Sequence, residues 1–192
     1  MGGRQCGAEV IVERPARFRV ALKTTDALPD GWIVDESSDC RARFSSPTGK
    51  TWTIYADGRQ YVDGQFSPLA PLGDAAAVYA AQHASPADLI VADEFGRIDR
   101  DTPGDRNNDG YNERRGSYEL VAKSNRFEVA IKPNTPVLAN PVLEIAGLPA
   151  GNALVTVEGQ LVERTTRLPN GNLLISIPLT IDRTTTVNVT VR

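Results

Sequence analysis

With 192 residues, 41% of them hydrophobic and 23% charged, the chain has the composition of an ordinary globular protein, long enough for one generous domain or two small ones. A net charge of −3, mixed along the chain, offers no basic stripe to neutralise phosphates and argues against nucleic acid as a partner. No apolar run approaches the roughly 20 residues that cross a bilayer, and the opening "MGGRQCGAEV" lacks the charged start and apolar stretch of a signal peptide, as expected of a cytosolic protein or of a mature or excised piece.

The N-terminal part reads as strands. "RFRVALK" alternates Phe18, Val20 and Leu22 against Arg17, Arg19 and Lys23, the period-2 pattern of a half-buried strand. "CRARF" repeats it, with Cys40, Ala42 and Phe44 opposed to Arg41 and Arg43. Cys6 and Cys40 each lie beside such a strand. Joined as a disulfide they would close a loop of about 35 residues, worth roughly 3.5 to 4 kcal/mol in the chain-entropy model, and an isolated even pair fits a secreted context. Zinc is excluded as their partner, since two distant cysteines and the single histidine, His83, do not complete four ligands. Next, "KTWTIYADGRQYVDG" places Asp57-Gly58 between two strand-like runs, the signal for a two-residue hairpin with both central residues at positive φ. That register pairs Ile54 with Tyr61 and Trp52 with Asp63.

The texture then changes. "GDAAAVYAAQHA" predicts a short helix over about 74–84, with Asp74 capping its first turn and Ser85-Pro86 ending it. "ADLIVADEF" suits either a strand or a buried loop. "GRIDRDTPGDRNNDGYNERRG" holds too many Gly, Pro, Asp and Asn residues for either regular state. We therefore divide the chain into a β-rich N-terminal region (1–98), a loop junction (99–117) and a C-terminal β domain (118–192). In the last of these, "YELVA", "RFEVAIK", "PVLEIAG", "ALVTVE", "QLVERTT", "NLLISIP" and "TTVNVTVR" recur at short, regular intervals. Asn170-Gly171 suits another primed turn and Glu158-Gly159 a tight reversal. The expected fold is mostly β, with a small immunoglobulin-like sandwich at the C-terminus.

Within the junction, Asp105, Asn107, Asp109, Gly110 and Glu113 fall in phase. Calcium takes six to eight oxygens, and a short turn projecting alternate carboxylates and amides supplies them. From Asp105 as the first position, Asn107 is third, Asp109 fifth and Gly110 sixth, where the sharp turn needs positive φ; Tyr111 offers its carbonyl, and Glu113 is ninth. The spacing resembles the D-x-N-x-D-G loops of EF-hands, and more closely those of dockerin modules and thrombospondin type 3 repeats. It departs at the twelfth position, where Gly116 replaces a glutamate, so Glu113, Glu119 or Asp101 would have to complete the shell. The β-like flanks imply a structural ion, stiffening the junction, rather than a sensor that opens paired helices.

Other residues invite chemistry. His83 with Ser85 and Asp88 offers the groups of a triad, but on one helix end they do not converge. Asp35, Glu36 and Asp39 supply carboxylates for a glycan hydrolase. Trp52, Tyr61 and Phe66 around the hairpin suit either a core or a sugar platform, while Tyr55, Arg59 and Gln60 are the better candidates for an exposed, glycan-binding face. Asn188-Val189-Thr190 matches the N-glycosylation acceptor pattern. The expected protein is a non-catalytic, calcium-stabilised extracellular β-module that meets a glycan or a neighbouring domain. It resembles the accessory regions that follow catalytic domains in secreted carbohydrate-active enzymes. The alternatives are a self-assembling fibre subunit, through strands such as "TTTVNVTVR", and a fragment of a glycan hydrolase.

Overall fold

The computed structural model describes residues 11–13, 17–19, 31–38, 40–69 and 72–192. Two short strands, β1 (Ile11–Glu13) and β2 (Arg17–Arg19), pair antiparallel. The burial expected of Phe18, Val20 and Leu22, and the position of Cys6, lie outside the described residues. From residue 31 the chain builds a meander. β3 (Ile33–Ser37), β4 (Arg41–Ser45), β5 (Thr51–Tyr55), β6 (Gln60–Val62) and β7 (Gln65–Phe66) lie side by side in sequence order, each antiparallel to the next.

The β5–β6 register differs by one residue from the expected one: Ile54 pairs with Gln60, Thr53 with Tyr61, and Trp52 with Val62. The cause is the turn. Gly58 N–H donates to Tyr55 O at 3.0 Å and Tyr55 N–H to Arg59 O at 2.8 Å, so the loop is Ala56-Asp57-Gly58, and only its Gly58, at φ 91, is left-handed. This is a three-residue turn closed by a glycine bulge, not a two-residue primed turn. Pro169-Asn170-Gly171 repeats it, with Gly171 N–H on Leu168 O at 2.9 Å; a two-residue Asn170-Gly171 turn would need a closing N–H from residue 169, which proline lacks. The primed geometry falls instead at Asp63-Gly64 (φ 51 and 78) and Glu158-Gly159 (φ 49 and 80). A one-residue slip exchanges the faces of a strand. Tyr61 therefore joins Arg41, Arg43, Thr53 and Tyr55 on one face, while Ala42, Phe44, Trp52 and Ile54 share the other.

The helix, α1 (Ala75–Ala84), forms from the alanine-rich run. Asp74 does not cap it through its side chain: the residue is itself helical, at φ −64 and ψ −25, and makes no capping bond. The first turn is held instead by Ala76 N–H on Gly73 O.

Beyond α1 the chain is again β. One sheet has β10 (Tyr111–Asn112), β11 (Ser117–Ala122), β14 (Val142–Ala146), β18 (Leu173–Ser176) and β17 (Thr165–Arg167) in that order, with β9 (Gly96–Ile98) also on β11. The second runs β16 (Gln160–Leu161), β15 (Ala153–Val157), β20 (Thr185–Val191), β12 (Arg126–Lys132) and β8 (Asp88–Ile90). Two-residue strands β13 (Leu138–Ala139) and β19 (Thr180–Ile181) pair separately. "QLVERTT" is thus two strands in different sheets. Residues 88–98, ahead of the expected junction, contribute one strand to each sheet.

The sheets form a sandwich. Leu120, Leu143, Ile145, Leu173 and Ile175 of one meet Phe127, Val129, Ile131, Val155, Val187 and Val189 of the other in a single buried cluster. The β10–β17 sheet is covered on its reverse face as well, where Val142 and Leu174 pack with Tyr55 and Tyr61 of the meander. Three β layers result, and the middle one is buried on both sides.

Candidate functional site at the junction of the layers

The loop before β10 is organised by its own acidic side chains. Asp105 accepts N–H bonds from Gly110 at 2.8 Å and Asp109 at 3.3 Å, and Asp109 accepts one from Tyr111 at 2.7 Å. Asn107 Nδ2 donates to Asp109 Oδ2 at 2.9 Å, and Glu113 accepts the Arg106 N–H at 3.0 Å. Gly110 has φ 91, and a Cβ there would lie 2.1 Å from the Ile98 side chain, so only glycine fits this turn. Burial pushes the Glu113 carboxyl above its usual range, N–H bonds lower it, and the charges of Asp109 and Asp105 raise it further. Among the described residues no ion pair is made to Asp105, Asp109 or Glu113. Nor do any three His, Cys, Asp or Glu side chains converge as a metal-holding group among them. The donors the loop does offer, carboxylate, amide and carbonyl oxygens, are of the hard type that suits calcium rather than zinc.

The meander grips the same loop. Arg106 Nη2 donates to Asp63 O at 2.8 Å, Thr53 Oγ1 to Arg114 O at 2.7 Å, and Tyr55 Oη to Arg115 O at 2.7 Å. Gly116, at φ 66, lies flush against the Tyr61 ring, where a Cβ would sit 2.2 Å from Cε2. Tyr55, expected on an open face, is buried, because its face of β5 packs against Val142 and Leu174 of the middle sheet. Arg59 is buried with it and stacks between the rings of Tyr55 and Tyr79, at 4.6 and 4.9 Å; only Gln60 of the expected glycan face is half-exposed. Neither Tyr55 nor Arg59 offers a surface on which a sugar ring could stack.

Beside the loop lies an ionic network that crosses the layers. Arg41, 0% exposed, binds Glu36 through Nε at 2.8 Å and Nη2 at 2.7 Å, and the same Nη2 reaches Glu144 at 2.7 Å. Arg115 lies 3.2 Å from both Glu119 and Glu144. Glu119 and Glu144 are register partners on the parallel pair β11–β14, and their pKa values diverge. Burial and the Glu144 charge push Glu119 up to about 7, against Arg115, Arg41 and the Ser117 hydroxyl. Burial also raises Glu144, but Arg41, Arg115 and the bond from Asn172 outweigh it and leave it below the usual range. Divergent carboxylates are a pattern of acid–base chemistry. Here every carboxylate oxygen of the pair already holds a protein donor, and the two residues are 3% and 1% exposed. Glu119 is thus engaged by Arg115 and Ser117 and is not turned to the 105–113 loop.

On the other side of the loop, all five tyrosines of the chain and its one histidine gather. Rings follow one another from Tyr55 to Tyr61 (6.0 Å between centroids), His83 (5.3 Å), Tyr111 (5.8 Å) and Tyr118 (5.1 Å). His83 faces Tyr111 Oη at 3.3 Å and Gly64 O at 3.2 Å rather than Ser85 or Asp88; burial lowers its pKa, opposed by the Gly64 carbonyl. Arg59, Tyr61, Tyr79, Gln82 and Tyr111 line a cleft with about 20 Å³ of free space.

Of the remaining candidates, Asp35 is exposed and accepts the Ser45 hydroxyl at 2.8 Å, Glu36 is buried on Arg41, and Asp39 lies outside the described residues. Cys40 makes no disulfide among the described residues, Cys6 lying outside them, and its thiol is pushed up by burial and lowered by Ser38. Asn188 sits half-buried in the centre of the outer sheet, between Glu128 and Thr156. Comparison of the chain with known protein families, curated proteins and solved structures found no match in any of the three.

Proposed function

We propose that the chain is a non-catalytic module of an extracellular protein in which calcium, held at the 105–113 loop, stiffens the union of the meander and the sandwich for presentation to a neighbouring domain or glycan. Asp105, Asn107, Asp109, the Tyr111 carbonyl and Glu113 are the residues that would hold the ion. The observation that carries this reading is a contrast within one junction. Glu36, Glu119 and Glu144 are each paired with arginine, whereas three carboxylates of a loop gripped by the meander have no cationic partner among the described residues. A divalent cation would supply one and would lower the raised pKa of Glu113.

The test is thermal unfolding with calcium and with a chelator, on the native chain and on Asp109→Ala. An ion that binds only the folded chain, at 100 times its Kd, adds about 2.7 kcal/mol. The native chain should melt higher with calcium, and Asp109→Ala should lose most of that gain. A melting curve indifferent to both chelator and substitution would refute the reading.

A further inference from the structure

The cleft between the meander, α1 and the sandwich contains two buried polar atoms without a hydrogen-bond partner, Arg59 Nη2 and Gln82 Oε1. Their residues are 3% and 7% exposed. Arg59 Nη2 does lie 2.8 Å from Asp57 Oδ2, so its charge is compensated, but the aligned bonds to that carboxylate come from Nε, and Nη1 is spent on Asn140 O at 3.0 Å. Gln82 has its amide orientation set by Ala139: Nε2 donates to that carbonyl at 3.1 Å, and turning the amide over would bring two oxygens together. The lining therefore holds an N–H donor without an aligned acceptor and an acceptor oxygen without a donor.

We propose that this cleft is the binding site of one internal water molecule, which accepts from Arg59 Nη2 and donates to Gln82 Oε1. The space of about 20 Å³ is that of a single water centre, since a cavity needs on the order of 10–15 Å³ by this measure. A molecule there needs two to four polar partners, and Tyr61 and Tyr111 line the same space beside Arg59 and Gln82. A halide is disfavoured by the same chemistry: Gln82 turns an acceptor into the cleft, and the Arg59 charge is already met by Asp57. The water links residues 59 and 82, which no direct bond joins, and so pins α1 to the meander.

A crystal structure at a resolution that shows ordered water, with a parallel bromide soak, tests this. A peak about 2.7–3.2 Å from both Arg59 Nη2 and Gln82 Oε1 is expected, without anomalous bromide signal, and it should vanish in Gln82→Met. An empty cleft with both side chains turned to protein partners would overturn the proposal. So would a bromide peak, or a water that stays in place in Gln82→Met. Should that variant not fold, the native chain still decides: the Gln82 side-chain amide protons should show a cross-relaxation peak to a long-lived water, and its absence overturns the proposal.

Discussion

Arg41→Met is the substitution with the clearest expected cost. The guanidinium is fully enclosed and makes four hydrogen bonds, two to Glu36, one to Glu144 and one to Ser117. Methionine fills much of the volume but leaves Glu36 and Glu144, 4% and 1% exposed, without their main counter-charge. Removing one partner of a buried ion pair costs about 3–5 kcal/mol, because the other charge stays buried. Arg115 and Asn172 still reach Glu144, and Arg43 lies 3.7 Å from Glu36, so the loss should fall near 3 kcal/mol, at the low end of that range. Urea unfolding at pH 7 measures it as a lower midpoint at unchanged slope. The double variant Arg41→Met/Glu36→Gln should recover part of the loss by removing a stranded charge. A single-variant loss under about 1 kcal/mol, the size of a solvent-exposed pair, or a double variant no better than the single, would refute the buried-charge account.

Two further outcomes follow from neighbouring residues. Glu119 ionises at about 7 in the folded chain against an ordinary 4.5, so the folded form holds the proton more tightly; the resulting stability is complete below about pH 4.5 and is lost as pH rises through 7. Glu144 works in the opposite sense, its contribution fading as pH falls. Glu119→Gln should therefore flatten the decline in unfolding free energy between about pH 5 and 7, and a profile parallel to that of the native chain would contradict the assignment. Gly116→Ala should lower stability by about 1–2 kcal/mol from left-handed backbone alone, and by more as the Cβ displaces the Tyr61 ring; an unchanged denaturation midpoint would show that the loop does not seat against that ring.

The sandwich strands were legible because alternation survives wherever one face meets a core: Val187, Val189 and Val191 are buried while Thr186, Asn188 and Thr190 are half-buried. The hairpin turns were not, because a dipeptide does not select a turn type. Asp57-Gly58 and Asn170-Gly171 close three-residue loops, while Asp63-Gly64 makes the primed turn. Pro169 was a usable clue to the first distinction; nothing local separates Asp57 from Asp63. The middle layer hid the network. A strand buried on both faces shows no solvent side, so nothing local in "YELVA" or "VLEIA" tells that Glu119, named above only as a possible ligand of the loop, and Glu144 face a second layer. The tyrosine cluster was invisible for a different reason, since its members come together only through the order of the sheets.

The short strands at 88–90, 96–98 and 111–112 also decide where this molecule can be cut. β8 covers the free side of β12, while β9 and β10 together cover one side of β11. A fragment starting at residue 118 would keep nearly all of the sandwich core yet strip the outer hydrogen-bonding row from both sheets, presenting two bare margins to other copies. Starting near residue 86 keeps those margins sealed but bares the reverse face of the middle sheet, where Val142 and Leu174 pack on Tyr55 and Tyr61 and Glu144 meets Arg41. A cut that leaves no open margin or face has to fall before the meander as well.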